Sequence, residues 1–124
     1  MVKKILLAED DPDIRFILKT VLSDAGYEVA LLPEGHTIVE GRHEWPDLFI
    51  LDKSLPVIDG MALSKYLKIK EDTRDIPIIL LSSNHKLKNK AKHAGVDAFI
   101  EKPFDLKLLL NTIEQQLHHR PKAC

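Results

Sequence analysis

The sequence has little of what would cross-link a chain, hold it in a bilayer or give it one dominant charge. Cys124 is the only cysteine among 124 residues, so no disulfide can form within the chain and a reducing compartment is expected. No apolar run approaches the ~20 residues of a membrane-spanning helix. The formal net charge is −1, from 18 basic and 19 acidic residues, which excludes a nucleic-acid binder that works by bulk charge.

The amino terminus also lacks a secretory signal core. It begins basic and then apolar, as a signal does, but Glu9-Asp10-Asp11 ends the apolar run well short of the ~7–15 residues required. We therefore expect a cytoplasmic protein. A hydrophobic fraction of 44% and a charged fraction of 30% are ordinary for a globular protein, and the length predicts a single domain.

Short apolar runs alternate with longer amphipathic segments five times along the chain. The runs are Ile5–Ala8, Tyr27–Leu32, Leu48–Leu51, Ile78–Leu81 and Ala98–Ile100. Most of them are continuously apolar, which is typical of strands buried on both faces. The alternation predicts an α/β fold in which right-handed crossovers place helices on both sides of a five-stranded parallel sheet.

The amphipathic segments have apolar residues three and four positions apart, as helices do. The predicted helices are Asp11–Ala25, Gly35–Glu44, Asp59–Ile69, Leu87–Ala94 and Leu106–Leu117. In the first, Asp11 is the predicted N-cap, Pro12 lies in the first turn and Gly26 ends the helix. The second has the weakest pattern, because few of its residues are apolar.

Polar side chains follow four of the predicted strands. They are Glu9, Asp10 and Asp11 after the first, Asp52 after the third, Ser82 and Ser83 after the fourth, and Lys102 and Pro103 after the fifth. The carboxyl ends of parallel strands share one edge of the sheet, where ligands bind at the switch in strand order. If the first and third strands are neighbours, Glu9, Asp10 and Asp52 lie in one pocket.

Such a pocket needs positive charge. Two carboxylates about 4 Å apart repel by roughly 4 kcal/mol at an effective dielectric near 20. A hard divalent cation balances them, and Mg²⁺ suits a site of few carboxylates and several waters. Lys102 can approach from the opposite side. A carboxylate beside a metal and a lysine is a candidate nucleophile toward a phosphoryl group, and Asp52 is the best one because it stands alone at its strand end.

The sequence resembles the receiver domains of two-component response regulators over essentially its whole length. The matching stretches are Leu6–Asp11, Leu51–Pro56, Asp59-Gly60, Pro77–Ser82 and Gly95–Phe104. The resemblance implies a CheY-like, flavodoxin-like doubly wound (βα)5 fold with strand order 2-1-3-4-5. It also implies a receiver domain of residues 1–120, a C-terminal tail of residues 121–124, and a phosphoacceptor rather than a turnover enzyme.

The resemblance further implies a role for each polar residue. The implied Mg²⁺ ligands are Glu9, Asp10, Asp52 and the backbone carbonyl of Ser54. Asp52 would accept the phosphoryl group, and Ser82 and Lys102 would contact it. The Lys102–Pro103 peptide bond is usually cis in this family. Phe99 would be the aromatic residue that changes position when the domain switches.

The implied phosphoryl donor is a sensor histidine kinase or a histidine phosphotransfer protein. An unidentified downstream effector would read the surface formed by the Leu87–Ala94 helix, the last strand and the last helix. We expect no direct nucleic-acid or membrane binding, and either a monomer or a phosphorylation-linked homodimer. The chain is either a stand-alone receiver or a part of a longer regulator or hybrid kinase.

Two features leave alternatives open. The segment from Ser82 to Lys102 is about two residues shorter than in typical receivers, which bears on switching more than on chemistry. It carries Lys86, Lys88, Lys90 and Lys92, which suit either a solvated helix or a surface for an acidic partner.

An aspartyl phosphatase is a rival function, disfavoured because Ser54 stands where a second acid is needed. A docking domain without chemistry is disfavoured because every required group is present.

Overall fold

The computed structural model describes residues 2–32, 35, 38, 39 and 45–118. Its strands are β1 (Lys4–Ala8), β2 (Glu28–Leu32), β3 (Leu48–Asp52), β4 (Ile78–Ser82) and β5 (Ala98–Glu101). All neighbouring strands are parallel, and the order in the sheet is β2-β1-β3-β4-β5. The predicted α/β fold and strand order are therefore confirmed. None of the described helices has the length and apolar character needed to cross a bilayer.

Four helices connect or follow the described strands. They are α1 (Pro12–Asp24), α2 (Gly60–Ile69), α3 (Lys88–His93) and α4 (Leu106–His118). A 3-10 turn at His85–Leu87 precedes α3, so the predicted helix at Leu87–Ala94 is a six-residue α-helix extended by a tighter turn. Of the predicted helix at Gly35–Glu44, only Ile38 and Val39 are described as helical, and the rest lies outside the described residues, as does the predicted tail 121–124.

The continuous apolar character of the central strands reflects burial on both faces. Every residue of β3 and β4 is buried. Alternate side chains point to opposite faces of the sheet, so each strand supplies two hydrophobic cores. On one face Ile50 packs with residues of α1 and α4, and on the other Leu51 packs with residues of α2. These cores hold the strand ends in place.

Two apolar stripe residues are less buried than the helical periodicity predicts. Leu18 and Leu22 of α1 are fully buried, but Ile17 is 49% exposed, and Leu106 of α4 is 36% exposed. Both lie at the edge of their stripes, and both line a cavity at the surface between α1 and the β5–α4 loop. Periodicity identifies a face, whereas the neighbouring elements decide how far that face is covered.

Aspartates start the two helices that follow β1 and β3. The Oδ1 of Asp11 accepts from the N–H of Asp13 at 2.9 Å and of Ile14 at 3.2 Å. The Oδ1 of Asp59 accepts from the N–H of Ala62 at 2.8 Å. These bonds satisfy donors that the first helical turn leaves unpaired. They fix the points at which the chain turns away from the carboxyl edge of the sheet.

Gly60 brings the start of α2 against the end of β3. Its N–H donates to the carbonyl of Lys53 at 3.0 Å. A Cβ at this position would overlap the backbone carbonyl oxygen of Asp52 and lie 2.9 Å from Cδ1 of Leu80. Only glycine permits this approach, so the placement of Asp52 depends on it.

We expect Gly60→Ala to lower the free energy of unfolding by about 2 kcal/mol, because an added methyl group overpacks this contact. Helix propensity alone predicts the opposite sign, since alanine is favoured over glycine by up to ~1 kcal/mol. Urea denaturation followed by circular dichroism measures the difference. Ala62→Ser on the exposed face of α2 is the control, with a change within ~0.5 kcal/mol. A Gly60→Ala protein as stable as the parent would contradict the close approach.

Candidate functional site

The register of the sheet brings distant polar residues to one edge. Ala8 of β1 pairs with Leu51 of β3, so the next residue of each strand, Glu9 and Asp52, reaches the edge side by side. On the other side of β3, Asp52 pairs with Leu81 of β4. Three neighbouring strands therefore contribute to one site, as expected at the carboxyl ends of a doubly wound sheet.

Three carboxylates cluster at this edge. One oxygen from each of Glu9, Asp10 and Asp52 lies within 4.8 Å of the others. Glu9 is fully buried, Asp52 is 4% exposed, and Asp10 is exposed to solvent. Two buried acids and one accessible acid form a pocket that is open on one side, with a surplus of negative charge.

Lys102 supplies the positive charge from β5. Its Nζ donates to Oε1 of Glu9 at 3.0 Å and lies 3.1 Å from Oδ1 of Asp52. Its backbone N–H donates to the carbonyl of Ser82 at 2.8 Å, which fixes the start of the loop after β5. The Lys102–Pro103 peptide bond is cis, as the resemblance implied. One ammonium group thus bridges two buried carboxylates.

The pKa values of Glu9 and Lys102 are both raised above their ordinary values. Burial is the main reason that the pKa of Glu9 rises from 4.5 to about 7, and the charge of Asp52 adds to the rise although Lys102 opposes it. Burial would lower the pKa of the Lys102 ammonium, but the hydrogen bonds and charges of Glu9 and Asp52 outweigh it, so this pKa is raised. Lys102 is therefore cationic at neutral pH, and one lysine does not fully offset the acids.

Two contacts that hold Glu9 had no signal in the sequence. The backbone N–H of Asp11 donates to Oε2 of Glu9 at 3.2 Å, and Nη1 of Arg15 donates to the carbonyl oxygen of Glu9 at 3.0 Å. Arg15 lies in α1, six residues further along the chain. A single polar residue on a helix looks like part of its solvated face, so sequence reasoning did not identify Arg15.

Ser82 ends β4 at the same edge and is 4% exposed. In the register it pairs with Glu101, the residue before Lys102. Its Oγ accepts a hydrogen bond from the backbone N–H of Asn84 at 3.1 Å. The side chain of Asn84 in turn accepts from the N–H of Lys86 at 3.0 Å, so a chain of short contacts runs from the site to the turn before α3.

The remaining predicted residues lie outside the carboxylate cluster. Ser54 is exposed in the loop after β3, two residues beyond Asp52. Phe99 lies in β5 opposite Leu80 and packs partly buried against the core on the α2 side. Lys53, next to Asp52, pairs with Asp59 at 3.7 Å, so its ammonium is directed to the helix cap.

The clustered oxygens fit a hard divalent cation. Carboxylates are preferred ligands of Mg²⁺, and the solvent-exposed Asp10 leaves room for the several waters that Mg²⁺ retains. The three carboxylates face the single ammonium of Lys102, and burial raises the pKa of Glu9 despite that ammonium. A cation beside these three side chains would lower that pKa and stabilise the ionised cluster.

Comparison with known proteins agrees with this geometry. The family model described as response regulator receiver domain matches residues 5–114. The chain is 33% identical over 117 residues to the phosphate regulon transcriptional regulatory protein PhoB of Escherichia coli K12, covering 92% of this chain and 51% of that protein. The chain therefore spans about half the length of this curated relative.

Two solved structures are similar throughout. The receiver domain of sensor histidine kinase PA1611 from Pseudomonas aeruginosa PAO1, with magnesium coordinated in its active site cleft, has a TM-score of 0.85 at 28% identity, covering 94% of this chain and 98% of that one. The chemotaxis response regulator CheY4 of Vibrio cholerae has a TM-score of 0.85 at 28% identity, covering 94% of this chain and 100% of that one. CheY4 and PhoB are named as a response regulator and a transcriptional regulatory protein, which are signalling proteins rather than turnover enzymes.

We expect Lys102→Met to lower the free energy of unfolding of the metal-free protein by about 3 kcal/mol, because it leaves two buried carboxylates without a counter-charge. Urea denaturation in the presence of a chelator measures the loss. Lys19→Met, on the exposed surface of α1, is the matched control and should change the stability by less than ~0.5 kcal/mol. Equal effects of the two substitutions would mean that the bridge contributes no stability.

Proposed function

This chain belongs to the receiver domains of two-component response regulators, and on that premise we propose that Asp52 accepts a phosphoryl group in a Mg²⁺-dependent reaction. The observation that carries the proposal is the buried Asp52 carboxylate 3.1 Å from the Lys102 ammonium, within a cluster of three acids. The donor is a sensor histidine kinase or a histidine phosphotransfer protein.

The transfer replaces one bond to phosphorus by another. An oxygen of Asp52 bonds to phosphorus while the bond from phosphorus to the histidine nitrogen of the donor breaks, and that nitrogen keeps the electron pair and takes up a proton. Asp52 is held against the end of β4 and the start of α2, so its carboxylate is positioned before the donor arrives. The product is an acyl phosphate on Asp52.

Lys102 stabilises the charge that develops on the transferred group. Its raised pKa keeps the ammonium protonated at neutral pH, and its Nζ already contacts the Asp52 carboxylate. Donors held in place before the reaction lower the barrier without reorganisation. The buried Ser82 hydroxyl, at the end of the neighbouring strand, is the second group proposed to contact the phosphoryl oxygens.

Glu9, Asp10 and Asp52 are the side chains proposed to hold Mg²⁺, with the backbone carbonyl of Ser54. The ion would supply positive charge to the phosphoryl oxygens. Glu9 is fixed from three directions, by Lys102, by the N–H of Asp11 and through its own carbonyl by Arg15. Its carboxylate is therefore preorganised, whereas Asp10 is free to adjust to the incoming ion and its waters.

Phosphorylation would switch the surface of α3, β5 and α4. The new phosphate adds negative charge and acceptor oxygens beside Ser82. For its hydroxyl to donate to them, Ser82 rotates, and the bond that its Oγ accepts from Asn84 is lost. The space left beside β4 allows Phe99 to turn inward, which biases the surface that an effector reads.

The same proposal includes the location, the oligomeric state and the output of the protein. We assign the chain to the cytoplasm, as a monomer or as a homodimer linked to phosphorylation, without direct contact to nucleic acid or membrane through the residues of this chain. The domain proposed for residues 1–120 is followed by the tail 121–124. A PhoB-like output by transcriptional regulation is one form that the effector step can take, because that relative is a transcriptional regulator.

We expect Asp52→Asn to abolish phosphorylation by acetyl phosphate with Mg²⁺, because an amide oxygen is a far weaker nucleophile than a carboxylate. Intact mass spectrometry with peptide mapping detects the added phosphoryl group. Asp72→Asn, at an exposed acid, should be labelled like the parent. Undiminished labelling of Asp52→Asn would place the phosphoacceptor elsewhere, and continuous release of phosphate from small esters by the parent would indicate a phosphatase.

We expect added Mg²⁺ to raise the thermal unfolding midpoint of the parent, because an ion that binds only the folded state stabilises it. Asp10→Asn removes one charged ligand and should remove most of this shift. Asp13→Asn, an exposed acid in the first turn of α1, should retain it. Differential scanning fluorimetry over a Mg²⁺ titration compares the three proteins. A full shift in Asp10→Asn would exclude this residue as a ligand.

A further inference from the structure

The segment around α3 concentrates positive charge that the proposed phosphoryl chemistry does not use. Four lysines occur within seven residues, and residues 84–96 contain no acid; the lysines are Lys86, Lys88, Lys90 and Lys92. All four are exposed. Among the residues that the structure describes, none of them forms an ion pair, whereas Lys53, Lys68 and Lys102 do. Their charge is available to a partner.

A groove lies between α3 and β5. Its volume is ≈ 330 Å³, and its lining includes the lysines Lys88 and Lys92 together with apolar side chains of Ala91, Val96 and Phe99. A cavity of this size accepts one or two large side chains. The groove therefore combines an apolar floor with two ammonium groups.

The acid within the groove does not neutralise these lysines. Asp97 also lines it, but one carboxylate oxygen of Asp97 is 2.8 Å from Nζ of Lys68 and accepts from the N–H of Ile78 at 2.8 Å. Lys68 comes from α2, and its charge is matched by that of Asp97. The positive charge at α3 is left without a counterpart in the described part of the chain.

We propose that this groove binds an acidic segment of a partner protein, with an apolar side chain against Phe99 and carboxylates facing Lys88 and Lys92. Charge complementarity selects the occupant. The inference rests on the proposed function, since Phe99 is the residue through which phosphorylation would reach the groove. It specifies the chemistry of the effector, which the family alone leaves open.

A protein segment suits this surface better than a nucleic acid does. Lys88 and Lys92 lie one turn apart on α3, and Lys90 lies about 200° around the helix axis from Lys88, so the lysines of α3 cannot follow one phosphate backbone. The segment contains no arginine, and the whole chain carries a net charge of −1. The apolar floor accepts a side chain and offers nothing specific to a sugar-phosphate chain.

The test is a selection from a random dodecapeptide library on the full chain, in the unphosphorylated form and with beryllofluoride and Mg²⁺. We expect enriched peptides to carry Asp or Glu next to an aliphatic or aromatic residue. Their affinity should fall with added salt and should fall about tenfold in Lys88→Glu/Lys92→Glu. Lys19→Glu/Lys65→Glu, at exposed lysines of α1 and α2, is the matched control and should bind as the parent does.

The outcomes separate this inference from the proposed function. Three outcomes would overturn the inference. The enriched peptides could lack acids, or their affinity could be independent of Lys88 and Lys92. The third outcome is that oligothymidine binds more tightly than every selected peptide. Thermal unfolding of the charge-reversal variant, and of Lys88→Ala/Lys92→Ala beside it, shows whether each is folded. If acidic peptides bind through these lysines while acetyl phosphate leaves Asp52 unmodified, the surface stands and the phosphoacceptor role fails.

Discussion

The structure depends on a balance of charge at one edge of a parallel sheet. Glu9 and Asp52 are buried side by side, and the ammonium of Lys102 lies within 3.1 Å of both. Two carboxylates buried side by side are unfavourable without a neighbouring positive charge, which Lys102 supplies. Burial raises the pKa of Glu9 to about 7 although the hydrogen bond from Lys102 opposes the rise, and Asp10 adds a third carboxylate to the cluster. In the proposed function, a divalent cation beside these acids would complete the balance of charge, and Asp52 would react with an electrophilic phosphorus.

Sheet topology connects this site to the surface that the proposed function would switch. The order β2-β1-β3-β4-β5 puts Glu9, Asp52 and Ser82 at the ends of three adjacent strands, and Lys102 comes in after the edge strand β5. Lys102 directly follows the strand that carries Phe99, and the chain after Ser82 leads through Asn84 to Lys86 in the turn before α3. A change of charge at Asp52 therefore has a short covalent and hydrogen-bonded connection to a surface of different chemistry.

Much of the fold and of the candidate site was predictable from the sequence, and the exceptions have physical causes. The strands were predicted to within a residue or two at each end, because burial on both faces leaves a continuous apolar run. Helical periodicity placed Leu18 in the core correctly but also Ile17, since an edge position is buried only if a neighbouring element covers it. The side chain of Arg15 donates to the backbone carbonyl of Glu9, and the backbone N–H of Asn84 donates to the side chain of Ser82. Each bond involves a backbone group on one side, and such bonds leave no pattern in the sequence.

By itself, the amino-acid sequence determined the class of fold, the acids and the lysine that end its strands, and the family to which the chain belongs. Local patterns carry that information, because strand burial, helix caps and short motifs each depend on neighbours along the chain. Only the tertiary structure decided that Glu9 is fully buried, that the Lys102 ammonium reaches Glu9 from 93 positions away in the chain, and that a charged groove opens beside Phe99. Distances, burial and pKa values depend on which elements pack together, and packing is a property of the whole chain.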